Sequence, residues 1–295
     1  MAVLIIGGDS RLSEVLVPLL KKKFEVYRTT RKNILSHDQI YLNFDNLSEF
    51  QVPNNIDTAI ILGGVVDYNL CDSNYSYAHF INCVQIPSLV GQLLSDGVFI
   101  NFISTNTVFS SQERPSSEYE PHNPSFNYAL LKSKAEHQIL AQTLRMKQNK
   151  LLSILRLTKN VGHSTSPFDS WIETLSEGRT ITAFKDLFFA PILFSHSAKA
   201  IYKIICRKLS GIFHLSGKAD ISYADFAKGL VASANLNQDL VRKVCSKDVG
   251  VNLIYSDKIT RLDMNKTSCL LGLKPVPVEE VYKYITSMIY ATQLN

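Results

Sequence analysis

The sequence predicts an α/β fold: a parallel sheet covered by helices on both faces, followed by a smaller and less regular lobe. Three observations predict it. Short apolar segments alternate with amphipathic ones along the first half of the chain. Several of those segments, such as Ile60-Ile61-Leu62 and Phe99-Ile100, lack a polar face, as parallel strands buried on both sides do. The rhythm then changes after Leu157, where a stretch of Gly, His, Ser, Thr and Pro interrupts it.

Each element has its own warrant. Residues 2–6 are apolar and read as a buried first strand rather than a signal peptide, because a basic start and a cleavage site are missing. Residues 10–22 carry Leu12, Val15, Leu16, Leu19 and Leu20 at helical spacing, with Pro18 as an expected kink. Residues 24–27, 40–44 and 58–62 read as strands. Residues 74–94 read as one helix with a kink or break at Pro87. A strand over 98–104, a long helix over 126–147 and a strand over 151–157 complete the first unit. This alternation is that of a Rossmann-type doubly wound parallel sheet. Beyond it, 162–169 reads as loop and 171–175 as helix. Residues 180–184 and 211–215 read as strands, and 198–208 and 223–234 as amphipathic helices. The expected division is a dinucleotide-type domain over 1–158 and an α+β C-terminal substrate lobe over 159–295, with a discontinuous boundary.

Composition narrows the function classes. The chain has 295 residues, 45% hydrophobic and 19% charged, with a net charge of +5. No apolar run approaches the roughly 20 residues needed to span a bilayer, so no membrane partner is expected. Lys21-Lys22-Lys23 reads as a solvated helix end, and no basic stripe interleaved with aromatics points to nucleic acid. The five cysteines are scattered and never spaced CxxC, which fits reduced thiols in a cytoplasm. The seven histidines form no HxH or HxxxH pair, so no metal site is expected.

The first strand runs into Gly7-Gly8-Asp9-Ser10-Arg11-Leu12-Ser13. A dinucleotide's pyrophosphate binds at such a helix start, where free N–H groups and the helix dipole meet it. Only the first glycine of a GxxGxxG frame is present; Ser10 and Ser13, both small, hold the other places. An ordinary strand-turn-helix start is an equal reading of this stretch. NAD ribose is held by a carboxylate about 20 residues further on. Here that place reads Tyr27-Arg28-Thr29-Thr30-Arg31-Lys32, with Glu25 too early. Thr30 and Arg31 suit a ribose 2′-phosphate, which predicts NADPH over NADH. Asp45 is placed to accept from an adenine amino group. Gly63-Gly64 lets the backbone pass close to a ribose or forms an ordinary turn.

Tyr128 and Lys132 form the sole YxxxK in the chain, and Thr105 closes a predicted strand upstream. Reducing a ketone requires a proton on oxygen, and a phenol with a pKa near 10 is a weak source. A lysine one helical turn on faces the same side. At roughly 4 Å and an effective dielectric of about 20 its charge is worth on the order of 4 kcal/mol. That is about three pKa units before screening, enough to bring the phenol toward neutrality. Thr105 is placed to hold the carbonyl oxygen. The alternative for Tyr128 is a packing residue on a helix face.

These residues resemble the extended short-chain dehydrogenase/reductase family, in its dTDP-4-dehydrorhamnose reductase-like branch. Ile103-Ser104-Thr105-Asn106-Thr107-Val108-Phe109 is similar to that branch's ISTDYVF. Asn123-Pro124 through Tyr128 to Lys132 is similar to its NPxxxYGxxK. Val66-Asp67 with Ile81-Asn82 is similar to VDxAE…VN, and Leu155-Arg156-Leu157-Thr158 to LRTSW. Glu177-Gly178-Arg179, Asp186 and Pro191 fit its EG…D…P stretch. Arg261-Leu262-Asp263 with Leu271-Gly272-Leu273-Lys274-Pro275 resembles RLD…LLGxKP. The resemblance implies Thr105, Tyr128 and Lys132 as catalytic residues. It implies a cofactor site at Gly7, Ser10, Arg11, Leu12, Thr30, Arg31 and Asp45, together with Gly63, Gly64, Tyr128 and Lys132. The implied activity is NADPH-dependent reduction of a 4-keto-6-deoxy nucleotide sugar. An NAD(P)-dependent epimerase of nucleotide sugars and a non-catalytic NADP-binding regulatory subunit remain as alternatives, and a homodimer is compatible with either. The chain departs from the family at Ser10 and Ser13, at Ser110-Ser111 where Asp-Gly is frequent, and at Glu14, one position off a dimer-bridging magnesium ligand. Arg156, Lys185 and Arg261 are candidates for a diphosphate, with surface or structural roles equally open.

Overall fold

A computed structural model describes residues 1–32, 36–110, 112–162 and 165–293. Ser111, one of the departures just named, and residues 163 and 164 of the expected loop lie outside them.

Thirteen strands are present among the described residues. The first six are β1 (Ala2–Ile6), β2 (Glu25–Thr30), β3 (Gln39–Tyr41), β4 (Ile56–Ile61), β5 (Phe99–Thr105) and β6 (Leu152–Leu157). The others are β7 (Lys159–Val161), β8 (Ile181–Phe184), β9 (Phe188–Phe189), β10 (Pro191–Leu193), β11 (Gly211–Leu215), β12 (Ile221–Ser222) and β13 (Val241–Val244). Seven form one parallel sheet in the order β11-β6-β5-β4-β1-β2-β3. Every strand of a parallel sheet needs a crossover, and the crossovers put helices on both faces.

Strand alternation divides the core. Val3, Ile5, Ile60 and Leu155 face one layer, against helix α1 (Arg11–Leu20). Leu4, Ile6, Ile61 and Phe102 face the other layer. The chain between β4 and β5 is not one helix. It runs as α2 (Tyr68–Ser73), α3 (Tyr75–His79), a π-helical stretch over Phe80–Gln85, and α4 (Ile86–Ser95). The break falls at Asn74, whose φ of −137° and ψ of 63° leave the helical region while its side chain caps α3. Pro87 sits in the first turn of α4, where its missing N–H is harmless. Pro18 lies exposed within α1, which still runs to Leu20.

Helix α5 (Asn127–Arg145) links β5 to β6 and covers the second face with α4. The C-terminal half returns to the first. After α6 (Phe168–Ser176), helix α7 (Phe194–Arg207) packs on α1, and β11 joins the sheet beside β6. Helices α8 (Tyr223–Ser233), α9 (Asn265–Leu271) and α10 (Val278–Gln293) complete the lobe. Val281, Ile285 and Ile289 are fully buried at helical spacing in α10, an element that the motif reading, ending at Pro275, passes over. Among the described residues no helix is long and apolar enough to cross a membrane.

Candidate active site

The turn after β1 is built by backbone constraint. Gly7 has a φ of +88°, and a Cβ there would lie 2.6 Å from the Gly63 nitrogen at the end of β4. Glycine is required by both conformation and space. Gly7 N–H donates to Thr29 Oγ1 at 3.0 Å, and Gly8 N–H to the Thr29 carbonyl at 2.9 Å. Ser10 caps α1, its Oγ accepting from Ser13 N–H at 3.3 Å. The serines at the glycine places thus form the helix cap itself. Asn82, fully inside the second layer, accepts from Val65 N–H and donates to the Val65 carbonyl, both at 2.9 Å, which pins the Gly63–Gly64 loop.

These residues frame a cavity of about 300 Å³ lined by Gly7, Ser10, Thr30, Arg31, Gly63 and Gly64. Arg31 is exposed and makes no ion pair among the described residues. Asp45 is not brought to this cavity; Asn43 and Phe44 stand there instead. Asn43 caps the short turn Phe44–Glu49 through Asp45 N–H, and Asp45 is left in solvent. Asp9, inside the Gly7–Leu12 stretch that the resemblance implied, belongs to this cavity too. Its carboxylate accepts from the Thr30 hydroxyl at 2.6 Å and lines the same cavity. The aspartate was visible in the Gly-Gly-Asp-Ser stretch, but its reach to β2 depends on sheet order.

A second cavity of about 380 Å³ opens at the carboxyl edge of the sheet and shares Ser10, Leu62 and Val66 with the first. Thr105 and Tyr128 are both in its wall, with Arg11 and Leu12 beside them. Thr105 ends β5 and caps the turn Asn106–Val108, its Oγ1 accepting from Thr107 N–H at 3.1 Å. Tyr128 opens α5. Its ring packs 5.0 Å from Tyr68 and 6.2 Å from Phe126.

The expected acid-shifted phenol is not what the surroundings make. Burial, with Cys71 beside it, pushes Tyr128 above the ordinary phenol value, and the hydrogen bond with Thr105 only partly opposes this. Lys132 does not offset it; that lysine lies outside the walls of both cavities and is only 7% exposed. Its ammonium donates to the Ile103 carbonyl at 2.8 Å and sits 4.1 Å from the centre of the Phe102 ring. Burial lowers it to about 8, with Glu136 working the other way. A buried ammonium needs a partner, and the carbonyl one residue before Ser104 supplies it.

Behind these residues lies a charged network that the sequence reading did not assemble. Arg156, 2% exposed, pairs with the fully buried Glu136 through Nε at 3.1 Å and Nη2 at 2.7 Å. Ser104 donates to Glu136 as well. Arg156 also meets His122 Nε2 at 2.7 Å and His214 Nε2 at 3.3 Å. Burial lowers His122 to about 4 and His214 to about 3. The available signals were Tyr128, Lys132 and Glu136 spaced four apart, and one arginine in a strand whose other residues are apolar but for Ser153.

None of the three cations considered for a diphosphate stands free in the cleft. Arg156 is in this network. Arg261 lines the cleft but donates to Asp220 at 2.6 Å, and Lys185 is exposed outside it. Lys159, which the sequence reading passed over, lines the cleft in their place.

A protein-family model described as the RmlD substrate binding domain matches residues 1–289. Among solved structures, a dTDP-4-dehydrorhamnose reductase of Clostridium acetobutylicum is 20% identical, with a TM-score of 0.78 over 98% of this chain and 99% of that one. The Bacillus anthracis dTDP-4-dehydrorhamnose reductase in complex with NADP is 19% identical, with a TM-score of 0.78 over 97% and 98%. A dTDP-glucose 4,6-dehydratase of Streptomyces venezuelae with NAD bound is 16% identical, with a TM-score of 0.79 over 100% and 98%. At these identities the likeness establishes a shared fold. The curated proteins contain no match to the chain.

Proposed function

The chain belongs to the RmlD substrate-binding-domain family, and from that premise we propose that it is an NADPH-dependent reductase of a 4-keto-6-deoxy nucleotide sugar, with Tyr128 as proton donor. The observation that carries this reading is that Thr105 and Tyr128 share the wall of a cleft that has Ser10, Leu62 and Val66 in common with the Gly7–Arg31 cavity.

The residues around Gly7 fit a dinucleotide. A Cβ would close the approach at Gly7, the capped start of α1 offers N–H groups, and Arg31 offers an exposed cation with no ion pair among the described residues. Gly7, Ser10, Arg11, Leu12, Thr30 and Arg31, with Gly63 and Gly64, would hold the cofactor. When bound, the nicotinamide supplies hydride to the carbonyl carbon.

Tyr128 delivers the proton to the ketone oxygen. Its raised pKa keeps the phenol protonated through neutral pH, the state from which a general acid must start. Thr105 stabilises charge developing on the same oxygen. Lys132, charged for the larger part at neutral pH, stands one helical turn on, its ammonium held by the Ile103 carbonyl behind the strand end that carries Thr105. The free cysteines, with Cys71 and Cys83 buried, support a reducing, cytoplasmic compartment.

One observation favours a second reading, a non-catalytic NADP-binding subunit: the Lys132 ammonium is bonded to the Ile103 carbonyl and lies outside the cleft wall. Oxidation of NADPH, followed across a panel of 4-keto-6-deoxy nucleotide sugars, separates the two. The reductase reading requires turnover with at least one sugar. Folded protein that binds NADPH and turns over none of them defeats it in favour of the second.

A further inference from the structure

Lys159 opens β7, directly after the sheet strand β6. The backbone beside it is fixed: Thr158 N–H donates to the Leu215 carbonyl at 3.0 Å, and Gly217 N–H donates to Thr158 Oγ1 at 3.3 Å. Its side chain is half-buried and lines two cavities at once. One is the cleft with Thr105 and Tyr128. The other, of about 390 Å³, is walled by Trp171, Phe184 and Tyr223 with the backbone and side chains around Leu253. Tyr68, Lys159 and Tyr255 are common to both, so the lysine stands at their junction.

The ammonium has no acidic partner among the described residues, and neither cavity is lined by an aspartate or glutamate. The other two cations of the cleft are neutralised, Arg11 by Glu14 and Arg261 by Asp220. Burial alone lowers the Lys159 pKa, which is the direction for a desolvated, uncompensated cation. Such a cation is costly unless an anion meets it. The reacting hydroxyls lie on one side of it and flat aromatic walls lie on the other. That sequence of surfaces matches a sugar, a diphosphate and a base in order.

We propose that Lys159 anchors the diphosphate of the nucleotide-sugar substrate, with the base in the aromatic cavity of Trp171 and Tyr223. The assignment rests on the function proposed above, and it makes Lys159 a specificity residue rather than a catalytic one. The same ammonium suits a carboxylate carried on a sugar, so the test separates a diphosphate from an acidic sugar.

Equilibrium binding of dTDP, UDP, thymidine and uridine is measured by calorimetry in the presence of saturating NADP, which blocks the cofactor cavity. Lys159→Met should weaken the diphosphates by roughly tenfold to a hundredfold, the worth of a charge-assisted hydrogen bond. The neutral nucleosides should change by less than about twofold, since that bond is absent from them. Lys159→Arg, which keeps the charge, should recover most of the loss. Unaltered NADP titration and melting show that the variants fold.

Diphosphate binding by Lys159→Met equal to that of the parent overturns the anchor. An equal loss for nucleosides and diphosphates also overturns it, because it reports a collapsed cavity. Diphosphates unaffected while UDP-glucuronate weakens against UDP-glucose overturns it in favour of the acidic sugar. If the parent binds diphosphates through Lys159 and reduces no keto sugar, the anchor stands and the reductase reading falls. If the parent binds no diphosphate, both fall.

Discussion

Glu136→Gln probes how the strand end and helix that carry Thr105 and Tyr128 are held from behind. Glu136 is fully buried and pairs directly with Arg156, 2% exposed, while its charge also reaches the buried Lys132. The substitution keeps the volume and removes one charge. It leaves a guanidinium in the core with two neutral imidazoles and an amide as acceptors. Breaking a buried pair from one side costs about 3–5 kcal/mol. At roughly 2–4 °C per kcal/mol for a chain of this size, melting should fall by about 6–20 °C. The glutamine can still accept from Arg156, which favours the lower end. The same change withdraws the charge that supports Lys132, so that lysine should titrate below its value of about 8. Urea unfolding at neutral pH with a parallel thermal melt measures the loss. Replacing both partners, Glu136→Met with Arg156→Met, removes both charges and should recover at least about half of it. A loss under about 1 kcal/mol in the single variant, or a double variant no more stable than the single, would refute the view that this pair is a coupled buried charge.

Three further predictions stand on separate observations. Tyr128→Phe should lower kcat by about 10²–10⁴-fold, the usual worth of a general acid. NADP affinity should stay within about twofold, because the hydroxyl alone is lost; a loss of binding of tenfold or more would speak against the assigned role. Stability should fall as pH drops from about 6.5 toward 4, because His122 and His214 are buried neutral with depressed pKa values of about 4 and about 3. The unfolded chain binds those protons first, so their contribution is complete above the unfolded value of about 6.5 and is lost as pH falls through the folded ones. Urea unfolding at several pH values should show a slope approaching about 1.4 kcal/mol per pH unit for each imidazole, with His122→Gln removing one share; an unchanged slope in that variant would count against it. Arg31→Ala should weaken NADPH by roughly tenfold or more and leave NADH nearly unchanged, and an equal effect on both would remove Arg31 from 2′-phosphate recognition.

The order of strands and helices was legible because it depends on periodicities of two and 3.6 that neighbouring residues carry themselves. The run Ala2–Ile6, the turn at Gly7 and the Tyr128–Lys132 spacing all belong to this class. The helix start at Asn74 was legible, but the short helix α2 before it and the π-helical stretch over Phe80–Gln85 were not, since no apolar periodicity marks either. The identities of Thr105 and Tyr128 as neighbours in one cleft also came through, because a strand end and a helix start must meet at the carboxyl edge of a parallel sheet.

What the sequence alone determined was therefore which residues share a strand, a helix face or a turn. What the tertiary structure decided was the electrostatic state of those residues. It sent the Lys132 ammonium to the Ile103 carbonyl, raised the Tyr128 phenol, tied Asp9 to Thr30, sealed Arg156 with Glu136, and left Lys159 without a counter-charge among the described residues at the meeting of two cavities. The physical reason is that desolvation and Coulomb energy sum over groups brought together from distant segments, and no local pattern along the chain records that sum.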